Sequence, residues 1–227
     1  MPKSSSGHRQ LKKRVKTARQ RKPSSTRWLE RQLNDPYVAR AKREGYRSRA
    51  AYKLIELDDK YHWLKPGKTV LDLGAAPGGW TQVAVARTRS QPERPQIIAA
   101  DLLPMQPVSG ALVLQLDFMQ DDAPEKLRQL LPGGVDIVLS DMAPNTIGHA
   151  ATDHLRIMAL LEAAYPFACE VLKPGGTFIA KMFQGGAASE LLAQMKRDFA
   201  TVRHAKPKAS RADSSETYLI ADGFRGR

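Results

Sequence analysis

From Thr69 onward the chain repeats one pattern: a short apolar run, a polar residue near its end, then a stretch with helical spacing. The runs predict strands at Thr69–Leu73, Gln96–Ala100, Ala111–Leu116, Val135–Ser140 and Thr177–Lys181, then near Thr201–His204 and Thr217–Ala221. Helices are predicted at Gly79–Arg87, Pro124–Leu131, Asp153–Leu172 and Ala187–Phe199, with turns at Lys65-Pro66-Gly67 and Lys173-Pro174-Gly175-Gly176. Short strands alternating with helices argue for a mainly parallel sheet with helices on both faces, an α/β fold of Rossmann-like type. Such open sheets bind ligands outside the carboxyl ends of their strands, near the point where strand order reverses. Asp72, Asp101, Asp117, Asp141 and Lys181 all fall at or near predicted strand ends, and five such residues along one edge suggest a polar site.

The loop after the first strand reads Leu73-Gly74-Ala75-Ala76-Pro77-Gly78-Gly79-Trp80. Glycines let the backbone turn sharply and approach a ligand closely. The spacing is not that of the dinucleotide fingerprint, nor does a Gly-Lys-Ser/Thr ending grip a triphosphate. A tight turn lined by Gly74, Ala75, Pro77, Gly78 and Gly79 suits a neutral or cationic adenosyl ligand. Asp101 lies 23 positions after Gly78, at the end of the second strand. An acid there can accept from both ribose hydroxyls of an adenosyl group. Asp117, ending the third strand, can accept from the adenine amino group.

Charge speaks to the partner. Lys and Arg number 36 against 23 Asp and Glu, a formal excess of +13 over 227 residues. A polyanion is the expected partner, with RNA, DNA and an acidic membrane surface as candidates. Residues 1–25 read as a disordered arm of nine cations, from Lys3 to Lys22, with no acidic residue to offset them. Such arms bind phosphate backbones by releasing counterions. Residues 26–227 read as one domain. Its first part, Thr26 to Lys53, interleaves Trp28, Leu29, Leu33, Tyr37 and Val38 with Arg40, Lys42, Arg43, Arg47 and Arg49. Ser48 is the expected cap of a helix running to about Tyr61. One cysteine, Cys169, rules out an internal disulfide and fits a reducing cytoplasm, and no Cys or His cluster has metal-ligand spacing. No apolar run reaches the roughly 18 residues of a membrane span.

The segments Leu71-Asp72-Leu73-Gly74-Ala75-Ala76-Pro77-Gly78-Gly79-Trp80, Asp101-Leu102-Leu103-Pro104-Met105 and Ser140-Asp141-Met142-Ala143-Pro144-Asn145 together resemble the FtsJ/RrmJ family of RlmE-type ribosomal RNA 2′-O-ribose methyltransferases. The similarity runs from about Ser25 to the last predicted strand. It implies a seven-stranded sheet with one antiparallel strand and S-adenosylmethionine as cofactor. It implies cofactor contacts from the glycine turn, Trp80, Asp101, Leu102, Asp117 and Asp141. It also implies a Lys-Asp-Lys-Glu tetrad, which Lys53, Asp141, Lys181 and Glu216 match in order and context. The implied substrate is a uridine of large-subunit (23S) ribosomal RNA. A monomer with no protein partner, no metal and no membrane contact is expected.

Methyl transfer from a sulfonium is an in-line displacement in which the protein positions the acceptor oxygen and manages one proton. A lysine is ordinarily protonated at neutral pH and then cannot act as a base. Burial and a second cation favour its neutral form, whereas neighbouring carboxylates favour the charged one. Two roles therefore stay open for Lys181: accepting the hydroxyl proton, or steering a hydroxyl lone pair toward the methyl. Lys53 and Glu216 would orient the ribose and its phosphate neighbourhood. Amino-methylation of bases is disfavoured, because Asp141-Met142-Ala143-Pro144-Asn145 is a poor match to the Asn/Asp-Pro-Pro-aromatic run that chemistry uses. Pyrimidine C5 methylation needs a nucleophilic cysteine, and Cys169 reads as core.

Overall fold

The computed structural model describes residues 14, 17, 23–144, 149–185 and 189–226. The elements in chain order are α1 (Pro23–Leu33), α2 (Pro36–Glu44), α3 (Ala51–Tyr61), β1 (Val70–Leu73), α4 (Gly79–Thr88), β2 (Ile97–Asp101), β3 (Ala111–Gln115), α5 (Ala123–Leu130), β4 (Val135–Ser140), α6 (Ala150–Val171), β5 (Leu172–Phe183), α7 (Ser189–Asp198), β6 (Phe199–Ala205) and β7 (Glu216–Phe224). Every predicted strand and helix from Thr69 onward is present within a few residues, except that β5 starts earlier.

Three expectations need correction. The Lys173–Gly176 turn does not precede β5. Leu172 already pairs with Val135, and the register then jumps so that Thr177 meets Ile137, which makes the turn an excursion within the strand. Ser48 does not cap α3. The helix opens at Ala51 behind Ala50 with no side-chain cap, because Ser48 is packed against Gly79 at the start of α4. Finally, α1 starts at Pro23, inside the stretch assigned to the arm, with proline where a missing N–H is harmless. The rest of that arm, apart from Arg14 and Thr17, lies outside the described residues.

The seven strands form one sheet in the order β3-β2-β1-β4-β5-β7-β6. All neighbours are parallel except that β7 runs antiparallel to both β5 and β6. The chain builds outward from β1 through β2 to β3, then returns to place β4 on the other side of β1. The reversal opens a crevice above the carboxyl ends of β1 and β4.

Strand alternation divides the core in two. Leu71, Leu73, Val138, Phe178 and Ala180 point to the face covered by α6, where Leu161, Tyr165 and Ala168 meet them. Val70, Ile137, Leu139, Ile179, Tyr218 and Ile220 point to the opposite face, packed with Leu54 and Leu57 of α3 and Trp80 and Val83 of α4. This parity decides where the strand-end polar groups go. Asp141, Lys181 and Glu216 share the parity of Leu139, Ile179 and Tyr218, so all three project toward α3. Among the described residues no helix is long and apolar enough to cross a membrane.

Candidate active site

The glycine turn leaves β1 under close constraint. Gly74 has φ +76°, and a β-carbon there would lie 2.6 Å from the backbone of Met142 at the exit of β4. Only glycine lets the two strand exits touch. The amides of Gly74 and Ala75 donate to Ala100 O at 2.9 and 3.2 Å, tying the turn to β2. Asp101 completes the tie: Oδ2 accepts from Ala76 N at 2.8 Å and Oδ1 from Leu103 N at 2.7 Å. Each oxygen retains a second lone pair for a ligand. Asp117 Oδ1 accepts from Met119 N at 3.0 Å, and Leu102, next in the chain to Asp101, is exposed. The remaining loop residues divide by orientation. A β-carbon on Gly79 would overlap Ser48 Oγ, so Gly79 faces α3. The indole of Trp80 is buried, donates to Ala50 O at 2.8 Å and packs on Tyr218. What Trp80 offers the crevice is its backbone in the first turn of α4, where amides lack helical partners.

The second half of the site assembles from α3, β4, β5 and β7. Lys53 Nζ donates to Glu216 Oε2 at 2.7 Å. Lys181 Nζ lies 3.0 Å from Asp141 Oδ1 and donates to Asp141 O at 2.7 Å. The four side chains are only 9–15% exposed, so two cations and two anions sit nearly dehydrated as two neutral pairs. Tyr218 lies between the pairs. Its hydroxyl donates to Asp141 Oδ1 at 2.8 Å, and Lys53 Nζ stands 5.8 Å from its ring centre. Glu216 Oε1 is occupied by Ser210 Oγ at 2.7 Å, so both carboxylate oxygens are held.

The electrostatics follow. Burial pushes the Asp141 carboxyl upward, but Lys181, Lys53 and the Tyr218 hydroxyl outweigh it and hold the group below the usual carboxylate value. Burial, reinforced by Asp141 and Glu216, raises the Tyr218 phenol well above its ordinary value, so it remains a donor. Asp72 behaves differently. It is fully buried, one oxygen accepts from Thr81 Oγ1 at 2.7 Å, and the other has no partner. Burial drives its pKa up to about 7; the Thr81 hydrogen bond opposes this and the charges of Asp141 and Asp101 add to it. Outside the Lys53–Glu216 pair a cleft of about 350 Å³ opens, with Arg31, Arg49 and Arg211 in its walls.

Against this geometry, comparison with known proteins is decisive: the FtsJ-like methyltransferase family model matches residues 46–224. The chain belongs to the FtsJ-like methyltransferase family. FtsJ-like relatives are close. Ribosomal RNA large subunit methyltransferase E of a Bradyrhizobium species is 65% identical over 212 residues, covering 93% of this chain and 92% of that protein. The protein of the same name from Parvibaculum lavamentivorans is 60% identical over 228 residues, covering 97% and 90%. A crystal structure of a ribosomal RNA methyltransferase from Plasmodium falciparum superposes with a TM-score of 0.70 at 37% identity, covering 80% of this chain and all of that one.

The FtsJ-like turn fits an adenosyl ligand bearing an amine. The glycine cradle would be filled by a β-carbon at Gly78, where the neighbours are Arg47 and Met105 at 2.9–3.1 Å. The unpartnered buried oxygen of Asp72 is an acceptor waiting for a donor. Strand-end spacing marks Asp72 without giving it a role, and it marks neither Tyr218 nor Ser210. Tyr218 was findable, since it lies two residues after Glu216 and strand alternation puts both on one face. Ser210 lies in the loop before β7, where no periodic signal points to it. Cys169 is buried in the α6 core, as expected. Asn145 lies outside the described residues.

Proposed function

We propose that this chain transfers a methyl group to a ribose 2′-hydroxyl of large-subunit (23S) ribosomal RNA, at a uridine, with S-adenosylmethionine as donor. The observation that carries this reading is the placement of Lys181, buried and fixed by Asp141, whose own backbone N donates to Leu73 O at 3.1 Å where β1 enters the glycine turn. S-adenosylmethionine, when bound, supplies a methyl on a sulfonium. Gly74, Ala75, Pro77, Gly78, Asp72, Asp101, Leu102 and Asp117 would hold it, with Trp80 and Gly79 contributing backbone. Everything else falls to the chain's own groups.

Two of the three donor directions of Lys181 Nζ are committed to Asp141, which leaves one for the acceptor oxygen. In its charged form Nζ donates along that direction to the hydroxyl oxygen and so fixes the lone pair that attacks; once that proton has been lost to solvent, the nitrogen lone pair lies there and takes the hydroxyl proton instead. A well-placed base contributes roughly 10²–10⁴ in rate, and ideal orientation up to about 7–11 kcal/mol. Lys53 and Glu216, locked together, form the opposite wall and orient the ribose. Asp141 serves both halves, since β4 delivers it to the crevice and to Lys181.

RNA follows from the acceptor, because DNA has no 2′-hydroxyl. The arginine-lined cleft and the excess of +13 suit its phosphates. The names of the close relatives support the large ribosomal subunit as the source of that RNA. The tetrad is complete within this chain and needs no residue from a second copy, which suits a monomer, and the lone buried Cys169 suits a reducing cytoplasm. The test is to incubate the protein with labelled S-adenosylmethionine and large subunits from a strain lacking the modification, then digest the RNA to nucleosides. Label in 2′-O-methyluridine is the expected result. Label in a base-methylated nucleoside, or none, refutes the proposal.

A further inference from the structure

We propose that Arg47 is a positioning residue for the cofactor: its guanidinium clamps together the two backbone loops that wall the crevice. The inference rests on S-adenosylmethionine being the ligand of the glycine turn. From sequence, Arg47 is one of several cations in a basic segment, and an RNA phosphate is its natural partner. The structure gives it different work. Nη1 donates to Gln106 O at 2.6 Å and to Pro77 O at 3.3 Å, and Nη2 donates to Pro107 O at 2.6 Å. Pro77 belongs to the glycine turn after β1, and Gln106 and Pro107 to the loop after β2. No carboxylate pairs with Arg47 among the described residues.

Three peptide oxygens converging on one point repel each other unless a donor lies between them. A guanidinium, with five N–H groups in a rigid plane, can satisfy all three at once, whereas a lysine ammonium is a single compact charge on a flexible stem. The arginine is itself held in place. Its backbone N donates to Gln82 Oε1 at 2.8 Å, and Gln82 Nε2 donates back to Gly45 O at 3.0 Å, so α4 grips the segment that carries it. The side chain then runs across Gly78. A β-carbon there would stand 2.9 Å from Arg47 Nη1 and 3.1 Å from Met105 Sδ. The absence of a side chain at Gly78 therefore makes room for the clamp as well as for a ligand. Asp101 ties the same two loops from within the crevice, through Ala76 N and Leu103 N. Arg47 ties them from the outer side, and the two ties together fix the spacing into which an adenosyl group must fit.

The test measures cofactor and RNA binding separately. S-adenosylhomocysteine is titrated calorimetrically into RNA-free wild type, Arg47→Ala and Arg47→Lys, and binding of a large-subunit RNA fragment is measured in parallel at several salt concentrations. Arg47→Ala is expected to weaken S-adenosylhomocysteine about tenfold, the loss of one or two net hydrogen bonds. In turnover the loss should appear in KM for S-adenosylmethionine and not in kcat. Arg47→Lys keeps the charge seen by RNA but cannot span three carbonyls, so it should restore RNA affinity fully and cofactor affinity only in part. It also carries the test if the alanine variant does not fold. Unchanged S-adenosylhomocysteine binding in both variants, or a loss confined to RNA affinity with a shallower salt slope, overturns the clamp. Failure of the wild type to bind S-adenosylhomocysteine overturns instead the cofactor assignment beneath it.

Discussion

Replacing Lys181 by alanine separates chemistry from binding and from folding. In the intact protein the amine makes two contacts, to Asp141 Oδ1 at 3.0 Å and Asp141 O at 2.7 Å, in a pocket where its side chain is 9% exposed. Breaking a buried ion pair by removing one partner typically destabilises by about 3–5 kcal/mol, because a charge is left uncompensated. Here Asp141 retains the Tyr218 hydroxyl and the field of Lys53, so the expected loss is smaller, about 2 kcal/mol. For a domain of this size that is a Tm lowered by about 4–8 °C. The loss depends on pH in a definite sense. Lys181 and Lys53 hold the Asp141 carboxyl below its ordinary value against the opposing effect of burial. A depressed carboxylate stabilises the fold above its unfolded value near pH 4 and loses that contribution as pH falls through its folded value. The Tm gap between wild type and Lys181→Ala should therefore be widest at neutral pH and close in acid. S-adenosylhomocysteine binding should change by less than about threefold, since the glycine turn is untouched and Asp141 stays anchored through Leu73 O and the Tyr218 hydroxyl. Turnover, measured as labelled methyl transfer at saturating RNA and S-adenosylmethionine, should fall by at least about 10²–10⁴. Wild-type turnover in a folded variant would remove Lys181 from the reaction and take the mechanism with it.

Other perturbations probe the surrounding parts. Asp72→Asn should raise the Tm of the ligand-free protein at pH 8 and flatten its pH dependence, because burial has raised that carboxyl to about 7 and stability is lost as pH rises from about 4 through that value; thermal melts from pH 4 to 9 check it. Gly74→Ala should lower Tm by several degrees and abolish S-adenosylhomocysteine binding, since the new methyl meets Met142 backbone at a φ of +76°. Tyr218→Phe should cost about 1–2 kcal/mol by denaturant titration, as Asp141 loses a donor. Arg211→Ala should weaken RNA binding and lower its salt slope by about one, leaving cofactor affinity intact, which filter binding against salt would show.

Much of the fold is legible because parallel α/β architecture writes itself locally. Apolar runs of four to six residues closed by Asp101 or Asp141, with helical spacing between them, leave few topologies open. The early helices were harder to read. Ser48 has the residue type of a cap but spends its side chain under Gly79, a contact 31 positions away that no local rule detects. The turn residues Lys173–Gly176 mark the boundary between two elements in the sequence, whereas in the fold Leu172 has already joined the sheet through Val135. At the site, spacing pointed to Asp101, and the family resemblance to the tetrad. Neither could show that the indole of Trp80 turns inward, because its partners, Ala50 O and the Tyr218 ring, lie 30 and 138 positions away in the chain. The clamp at Arg47 was hidden for a related reason: its acceptors are carbonyls, which every residue carries and no sequence displays.

The tetrad depends on register more than on any single residue. Lys181 and Glu216 lie on β5 and β7 and Asp141 immediately after β4, three strands that meet only in the folded sheet, and the three residues share a face because each stands an even number of residues from Leu139, Ile179 or Tyr218. In the antiparallel pairing of β5 with β7, Lys181 faces Tyr218 and Phe183 faces Glu216. A slip of one residue in β7 would turn Glu216 and Tyr218 to the α6 side. It would also turn Tyr218 and Ile220 into the α6 core and Leu219 out of it, so the packing that fixes the register also fixes the site. Helix α3 then needs only to lie across that face to bring Lys53 to Glu216, and Leu54 and Leu57 hold it there. The burial that stabilises the fold also dehydrates the amine at its centre. For this reason a substitution such as Ile179→Ala, remote from any ligand, should lower both Tm and kcat, whereas an equal cavity on the α6 face, such as Leu161→Ala, should lower Tm alone.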